Sequence, residues 1–352
     1  MSSKSAHKPV IAISMGDPNG IGPEIILKTL KRRDVLERCT PVVVMPKKLW
    51  DFYNQHFESK LAVNIAAQAG KFQAHRINIY FPEVVDFQVR FGEADSRAGA
   101  LAFQSLETAV GLIKEGFAQA LVTAPINKYT IQSEKFNFPG HTEYLESKWQ
   151  GKSLMMLVHE LLRVSMVTSH VPLHEVPALI SRERIKSKLL QLKKSLEQDF
   201  GVRRPKIAVL GLNPHSGDNG LLGKEENDII IPLIAEMWTH GDLIYGPYAA
   251  DSFFQPSNLQ KFDAVLGMYH DQVLIPFKTM AMWEGVNFTA GLEYVRTSPD
   301  HGTGFDIAGQ NIADETSMVE ALLCAVELHL TREEYRELSL SPLKIGQKEH
   351  ES

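Results

Sequence analysis

Short apolar runs closed by turn residues alternate along this chain with helical patterns, and that alternation leaves few folds open. Val10–Met15, Val42–Met45, Ala120–Thr123, Leu154–Val158, Val164–Thr168, Lys206–Leu212 and Asp263–Met268 each read as a strand, with the fourth and fifth adjacent. Between them, Pro23–Leu27 opens a helix with Pro in the favoured first turn. Longer helical patterns cover about Arg97–Glu115, Glu225–Trp238 and Met318–Leu330. Ile185, Leu189, Leu192 and Leu196 fall at i, i+4, i+7 and i+11, the buried stripe of a further helix. Strand–helix order of this kind predicts a sheet of mainly parallel strands with helices on both faces.

At 352 residues the chain has room for two domains, or one large domain with a cleft. Net charge is −5 with no basic block, which argues against nucleic acid as a partner. The lysines of Lys186–Lys194 are the solvated face of the striped helix. Cys39 and Cys324 offer neither a disulfide framework nor a metal spacing, which fits a reducing compartment. No signal-like segment follows the polar Met1–Lys8, and no run of about twenty apolar residues occurs. The expectation is a soluble, cytoplasmic protein without a membrane partner.

Three histidines close apolar runs: His170 after Ser165–Ser169, His215 after Val209–Pro214, and His270 after Val265–Tyr269. In parallel sheets ligands gather at the carboxyl ends of strands, so three imidazoles there predict a shared divalent metal. Any one of them alone would read as a structural histidine; the repeated context favours the metal.

Two glycine-rich turns stand at opposite ends of the chain. Met15–Glu24 lies between strand and helix but fits neither the dinucleotide fingerprint nor the phosphate loop. A tight turn needing positive φ explains it equally well. His301–Gly309 places glycines beside His301, Thr303 and Asp306, where backbone N–H groups could meet phosphate or adenosine.

Taken together these segments resemble the isocitrate and isopropylmalate dehydrogenases, and more closely the 4-hydroxythreonine-4-phosphate dehydrogenase family of vitamin B6 synthesis. The pattern runs through Met15–Glu24, Thr123–Lys128, Gly140–Glu143, Leu212–Gly217, Tyr269–Gln272, Gly285–Asn287 and Arg296–Thr303. The resemblance implies two α/β/α domains around a central cleft. Residues 1–128 with 278–352 would form the nucleotide side, and 129–277 the metal and dimerisation domain. It implies His170, His215 and His270 as metal ligands, with zinc, magnesium or cobalt as the ion. Substrate contacts are implied at His141, Thr142, Lys278, Asn287 and Arg296, and cofactor contacts at His301, Gly302, Thr303 and Asp306. It also implies NAD or NADP as oxidant, and a homodimer in which His270 reaches the neighbouring subunit's site. The segment Ala281–Glu284 departs from the family by its apolar content.

The implied reaction is NAD-dependent oxidation of 4-phosphooxy-L-threonine to a 3-keto acid that decarboxylates to 3-amino-2-oxopropyl phosphate. Lys278 and Arg296 suit the phosphate, as a mobile point charge and a bidentate fork. Asp251, Asp271 and Lys278 are candidates for the proton acceptor, the two aspartates being equally suited to orient a ligand imidazole. Competing readings are the same chemistry on phosphoerythronate or phospho-D-threonate, a metal-dependent hydrolase, and a phosphate-binding protein without catalysis.

Overall fold

A computed structural model describes residues 8–340. Its twelve strands are β1 (Val10–Ser14), β2 (Thr40–Val44), β3 (Val63–Ile65), β4 (Ile77–Tyr80), β5 (Ala120–Thr123) and β6 (Gly151–His159), followed by β7 (Leu162–Met166), β8 (Lys206–Leu210), β9 (Leu243–Tyr248), β10 (Ala264–Gly267), β11 (Val286–Leu292) and β12 (Val295–Pro299). They form one sheet in the order β3-β4-β2-β1-β5-β12-β11-β6-β7-β10-β8-β9.

The sheet is two parallel blocks joined through an antiparallel centre. From β3 to β12 all pairs are parallel, as are those from β7 to β9. The junctions β12–β11, β11–β6 and β6–β7 are antiparallel. An odd number of reversals means that the two blocks run in opposite senses. The hairpin β11–β12 is therefore the seam between two α/β halves, and a cleft lies there.

Packing on the two faces explains the cleft. One face carries a single apolar layer across both blocks, including Ile25, Leu192, Leu233 and Leu322 from four helices. The stripe residues Ile185, Leu189, Leu192 and Leu196 all lie in it with no exposed surface. Each contributes about 1.5–3 kcal/mol against leaving it in water. The other face carries two separate cores. The helix Ser96–Lys114 covers one block through Ala102, Leu106, Ala109 and Ile113. The helix His270–Ala281 covers the other through Val273, Leu274 and Phe277. Between these cores the short helix His141–Lys148 packs on β6 through Tyr144 and Leu145 and leaves the rest of the central strands open, and polar residues sit there.

The alternation read from the sequence recovers the inner strands, while the edge and seam strands differ from it. β3 is a three-residue Val-Asn-Ile edge, and β9 contains Gly246-Pro247, a turn signal. The last helix, Thr316–Leu340, runs beyond the apolar pattern because Arg332 continues its buried face. The helical pattern from Glu225 begins with a π-helical turn, Glu226–Ile230.

Candidate active site

The cavity over the seam has a volume of about 900 Å³. Its floor comes from the central strands: Met155 on β6, Asn287 on β11 and Arg296 on β12. Gly140–Glu143, at the start of the helix His141–Lys148, forms one wall. Ser169 and His170 follow β7, and His270, Asp271 and Lys278 come from the helix His270–Ala281. Residues far apart in sequence thus converge because the second apolar layer is interrupted at the seam.

Arg296 is the chemical centre of this floor. It is only 3% exposed. Its Nε and Nη2 donate to Thr123 Oγ1 at 3.1 and 2.6 Å, and its Nη1 to Thr289 Oγ1 at 3.0 Å. Hydroxyls are its side-chain partners, and it has no ion pair among the described residues. Burial pulls its pKa down to about 9, offset in part by Glu143. A buried cation without a carboxylate carries its desolvation penalty uncompensated, which suits a site awaiting an anion.

Two other atoms on the lining are similarly unfinished. His141 Nε2 and Asn287 Oδ1 are buried without hydrogen-bond partners. Burial first, then the positive charges of Arg296 and Lys128, holds His141 well below the usual histidine range, so its ring is neutral at pH 7. Lys278 Nζ lies 3.3 Å from Asp300 Oδ2, and burial raises the Asp300 carboxyl above its ordinary value.

The structure brings His141, Thr142, His170, His270, Asp271, Lys278, Asn287 and Arg296 onto this one cavity. A smaller space of about 340 Å³ adjoins it, shares Arg296, Asn287 and Lys278, and is also lined by His301 and Gly302. Thr303 and Asp306 line neither cavity. Thr303 instead locks the two glycine-rich segments together: its carbonyl accepts from Ile21 N–H at 2.9 Å. A Cβ at Gly20 would stand 2.7 Å from that same oxygen, and Gly16 has φ +70°, so both glycines are required by packing as well as by any ligand.

Of the three strand-end histidines, two meet. The rings of His170 and His270 lie 5.4 Å apart, centroid to centroid. Burial, followed by Lys128 and His270, lowers the His170 pKa, favouring the neutral imidazole that ligates metals. His270 Nδ1 is 2.7 Å from Asp271 Oδ1, the kind of contact that orients a ligand ring. His215 lies outside the cavity, in an exposed turn where residues 215–219 all have positive φ. The buried Glu226 ties this turn down by accepting from Asn213 N–H at 2.8 Å and Asn213 Nδ2 at 3.0 Å. Asp251, in the neighbouring short helix Ala250–Phe253, also lies outside the cavity. No group of three His, Cys, Asp or Glu side chains among the described residues is placed to hold a metal within one chain. The donor chemistry of His170 and His270 fits two positions of a metal site.

Lys128, Glu143 and Asp300 line the cavity and were not singled out from sequence. Lys128 and Glu143 belong to the segments Thr123–Lys128 and Gly140–Glu143, so their position beside candidate residues was the available signal.

The fold and the pocket define an α/β protein suited to a small anionic ligand. The family described as pyridoxal phosphate biosynthetic protein PdxA matches residues 37–325. A relative from Bacteroides thetaiotaomicron, named 4-hydroxythreonine-4-phosphate dehydrogenase, is 45% identical over 96% of this chain and 93% of its own length. A protein from Oceanobacillus iheyensis, named "Putative D-threonate 4-phosphate dehydrogenase", is 38% identical over 93% of this chain and 100% of its own. The solved structure of 4-hydroxythreonine-4-phosphate dehydrogenase from Klebsiella pneumoniae superposes with a TM-score of 0.82. It is 35% identical and covers 93% of this chain and 99% of that one. The chain belongs to the PdxA family. No helix among the described residues is long and apolar enough to cross a membrane.

Proposed function

We propose that this protein is a dehydrogenase that oxidises 4-phosphooxy-L-threonine with NAD, with decarboxylation of the resulting 3-keto acid to 3-amino-2-oxopropyl phosphate. The carrying observation is Arg296, a buried guanidinium held by two threonine hydroxyls and open to an anion. It reads the phosphate as a bidentate fork, with Lys278, His141 and Thr142 around it. Asn287 Oδ1 accepts from a substrate donor. His301 and Gly302 face the adjoining space, and the loop they open would meet the adenosine side of NAD. When bound, NAD takes the hydride and a divalent metal polarises the substrate hydroxyl. His170 and His270 would hold that metal, and three imidazoles shared between two subunits would reconcile this pair with the separate His215.

Among the candidates for accepting the hydroxyl proton, Asp251 is outside the cavity and Asp271 is engaged with His270. Lys278 Nζ, 3.3 Å from Asp300 Oδ2, is left for that role in this reading, its own proton passing to that carboxylate before it accepts the substrate's. The carboxylates of Glu143, Asp271 and Asp300 on the cavity favour a substrate carrying an ammonium group. The D-threonate-type relative makes the hydroxy acid the second reading.

The test is formation of reduced nicotinamide with 4-phosphooxy-L-threonine, D-threonate 4-phosphate and D-erythronate 4-phosphate, each with NAD or NADP and with or without a chelator. The highest kcat/KM on the amino acid, lost with chelator, is expected. Turnover without any nicotinamide would support a hydrolase instead. Mixing His170→Ala with His215→Ala tests the shared metal site, because the first chain keeps His215 and the second keeps the His170–His270 pair. Activity should return in mixed dimers, and its failure to return despite verified subunit exchange would overturn the sharing.

A further inference from the structure

On the opposite side of the seam, a cavity of about 530 Å³ lies between the helices Arg182–Phe200 and Thr316–Leu340, at the start of β6 and the end of β11. The cations that line it are Lys152, Lys194, Arg332 and Arg336; Glu293 is the carboxylate on the lining. Arg332 is only 4% exposed. Its Nε is paired with Asp199 Oδ1 at 2.5 Å, and its Nη1 donates to Leu292 O and Glu293 O, both at 3.1 Å. Its Nη2 has no partner. Gln191, also on the lining, has an unpartnered buried Oε1, and its Nε2 makes one long contact to Lys152 O at 3.4 Å. Arg336 shares its charge with Glu333 at 2.7 Å.

We infer that this cavity binds a small phosphate-bearing molecule, separately from the active site. After the pairing of Arg332 with Asp199 and of Arg336 with Glu333, Lys152 and Lys194 remain against Glu293, so the cavity keeps a positive excess. Two lysines on the same lining as an unfinished guanidinium suit the three acceptor oxygens of a phosphate. Gln191 Oε1 adds an acceptor for a hydroxyl or amine on the same molecule. None of these lining residues takes part in the dehydrogenase chemistry proposed above, so the two sites can be silenced independently.

Inorganic phosphate serves as the probe, titrated calorimetrically against the full chain. In the double variant Lys278→Ala with Arg296→Met, which removes phosphate binding from the active site, one phosphate per chain should still bind. Adding Lys152→Met and Lys194→Met should weaken that binding by at least about tenfold, the equivalent of about 1.4 kcal/mol. These lysines are exposed, so their loss spares the fold, whereas replacing Arg332 would strand the buried Asp199. In the otherwise unchanged chain the lysine pair should remove one phosphate and leave dehydrogenase kcat/KM intact. No residual phosphate in the silenced variant, or residual binding that ignores the two lysines, overturns the inference whatever the enzyme's substrate is. Undiminished dehydrogenase activity in the Lys278→Ala, Arg296→Met variant, with phosphate still bound here, would instead count against the catalytic reading.

Discussion

Arg296 and Arg332 are both nearly inaccessible to water, yet the chain surrounds them in opposite ways. Arg332 closes onto the buried carboxylate of Asp199, which also accepts from Ser195 Oγ at 2.6 Å, and onto two backbone carbonyls. Arg296 sits on the floor of the larger cavity and is met by the hydroxyls of Thr123 and Thr289. Hydroxyls orient a guanidinium without cancelling its charge. The fold neutralises the charge of Arg332 and leaves it one unpartnered nitrogen, Nη2, whereas the charge of Arg296 is left for a ligand to neutralise.

The sharpest break between the two should appear in stability. Asp199→Ala leaves Arg332 as an uncompensated buried charge and should cost about 3–5 kcal/mol in urea unfolding. Arg296→Met, which deletes a charge that has no carboxylate, should leave stability unchanged or raise it. Equal losses at the two positions would erase the distinction.

A third buried charge extends the comparison to an anion. Asp17 has no exposed surface; its side chain accepts from Asn19 N–H at 2.9 Å and lies 3.4 Å from Thr130 Oγ1. Burial dominates and raises its pKa from 3.8 to about 6, with Asp95 adding to the rise. The folded state therefore holds this proton more tightly than the unfolded chain. Its favourable contribution is complete below about pH 3.8 and is lost as pH rises through about 6, opposite to an ion-paired carboxylate. The loss at neutral pH is on the order of 3 kcal/mol. Asp17→Asn should flatten unfolding free energy across that window and make the variant the more stable protein at pH 7. An unaltered pH profile in the variant would assign the titration to another group.

Much of the catalytic half of this comparison is legible in sequence. Arg296 lies in a segment matching a family pattern, and the alternation of apolar runs places β1, β5, β7, β8 and β10 in a sheet. The cleft itself is not legible, because it depends on the two blocks running in opposite senses. That reversal is made by β11 and β12, whose Asn287, Thr289, Arg296 and Thr297 interrupt the apolar pattern of a buried strand. Asn287 and Arg296 are polar because the cavity, not a helix, covers them, and Thr289 because it holds Arg296, whereas Thr297 faces the last helix and donates to Ala321 O at 2.6 Å. Proximity is equally hidden: His170, His215 and His270 share one local context, but only His170 and His270 come together within a single chain. Arg332 and Asp199 reveal nothing in sequence, since a charged residue in a helix ordinarily marks its solvated face.

The smallest expected effect separates charge from geometry at Arg296. Arg296→Lys keeps a positive charge but replaces a planar fork with a point donor. Three hydrogen bonds to Thr123 and Thr289 fix the native fork, and an ammonium on a shorter reach cannot keep both threonines and also present two parallel donors to phosphate. A loss of about 1.5–3 kcal/mol in kcat/KM is expected, the value of a charge-assisted hydrogen bond. Stability should change little, because no buried carboxylate loses its partner. The penalty should be largest for phosphorylated substrates and nearly absent for their dephosphorylated counterparts. An equal loss on both would mean that Arg296 shapes the cavity rather than reading the phosphate.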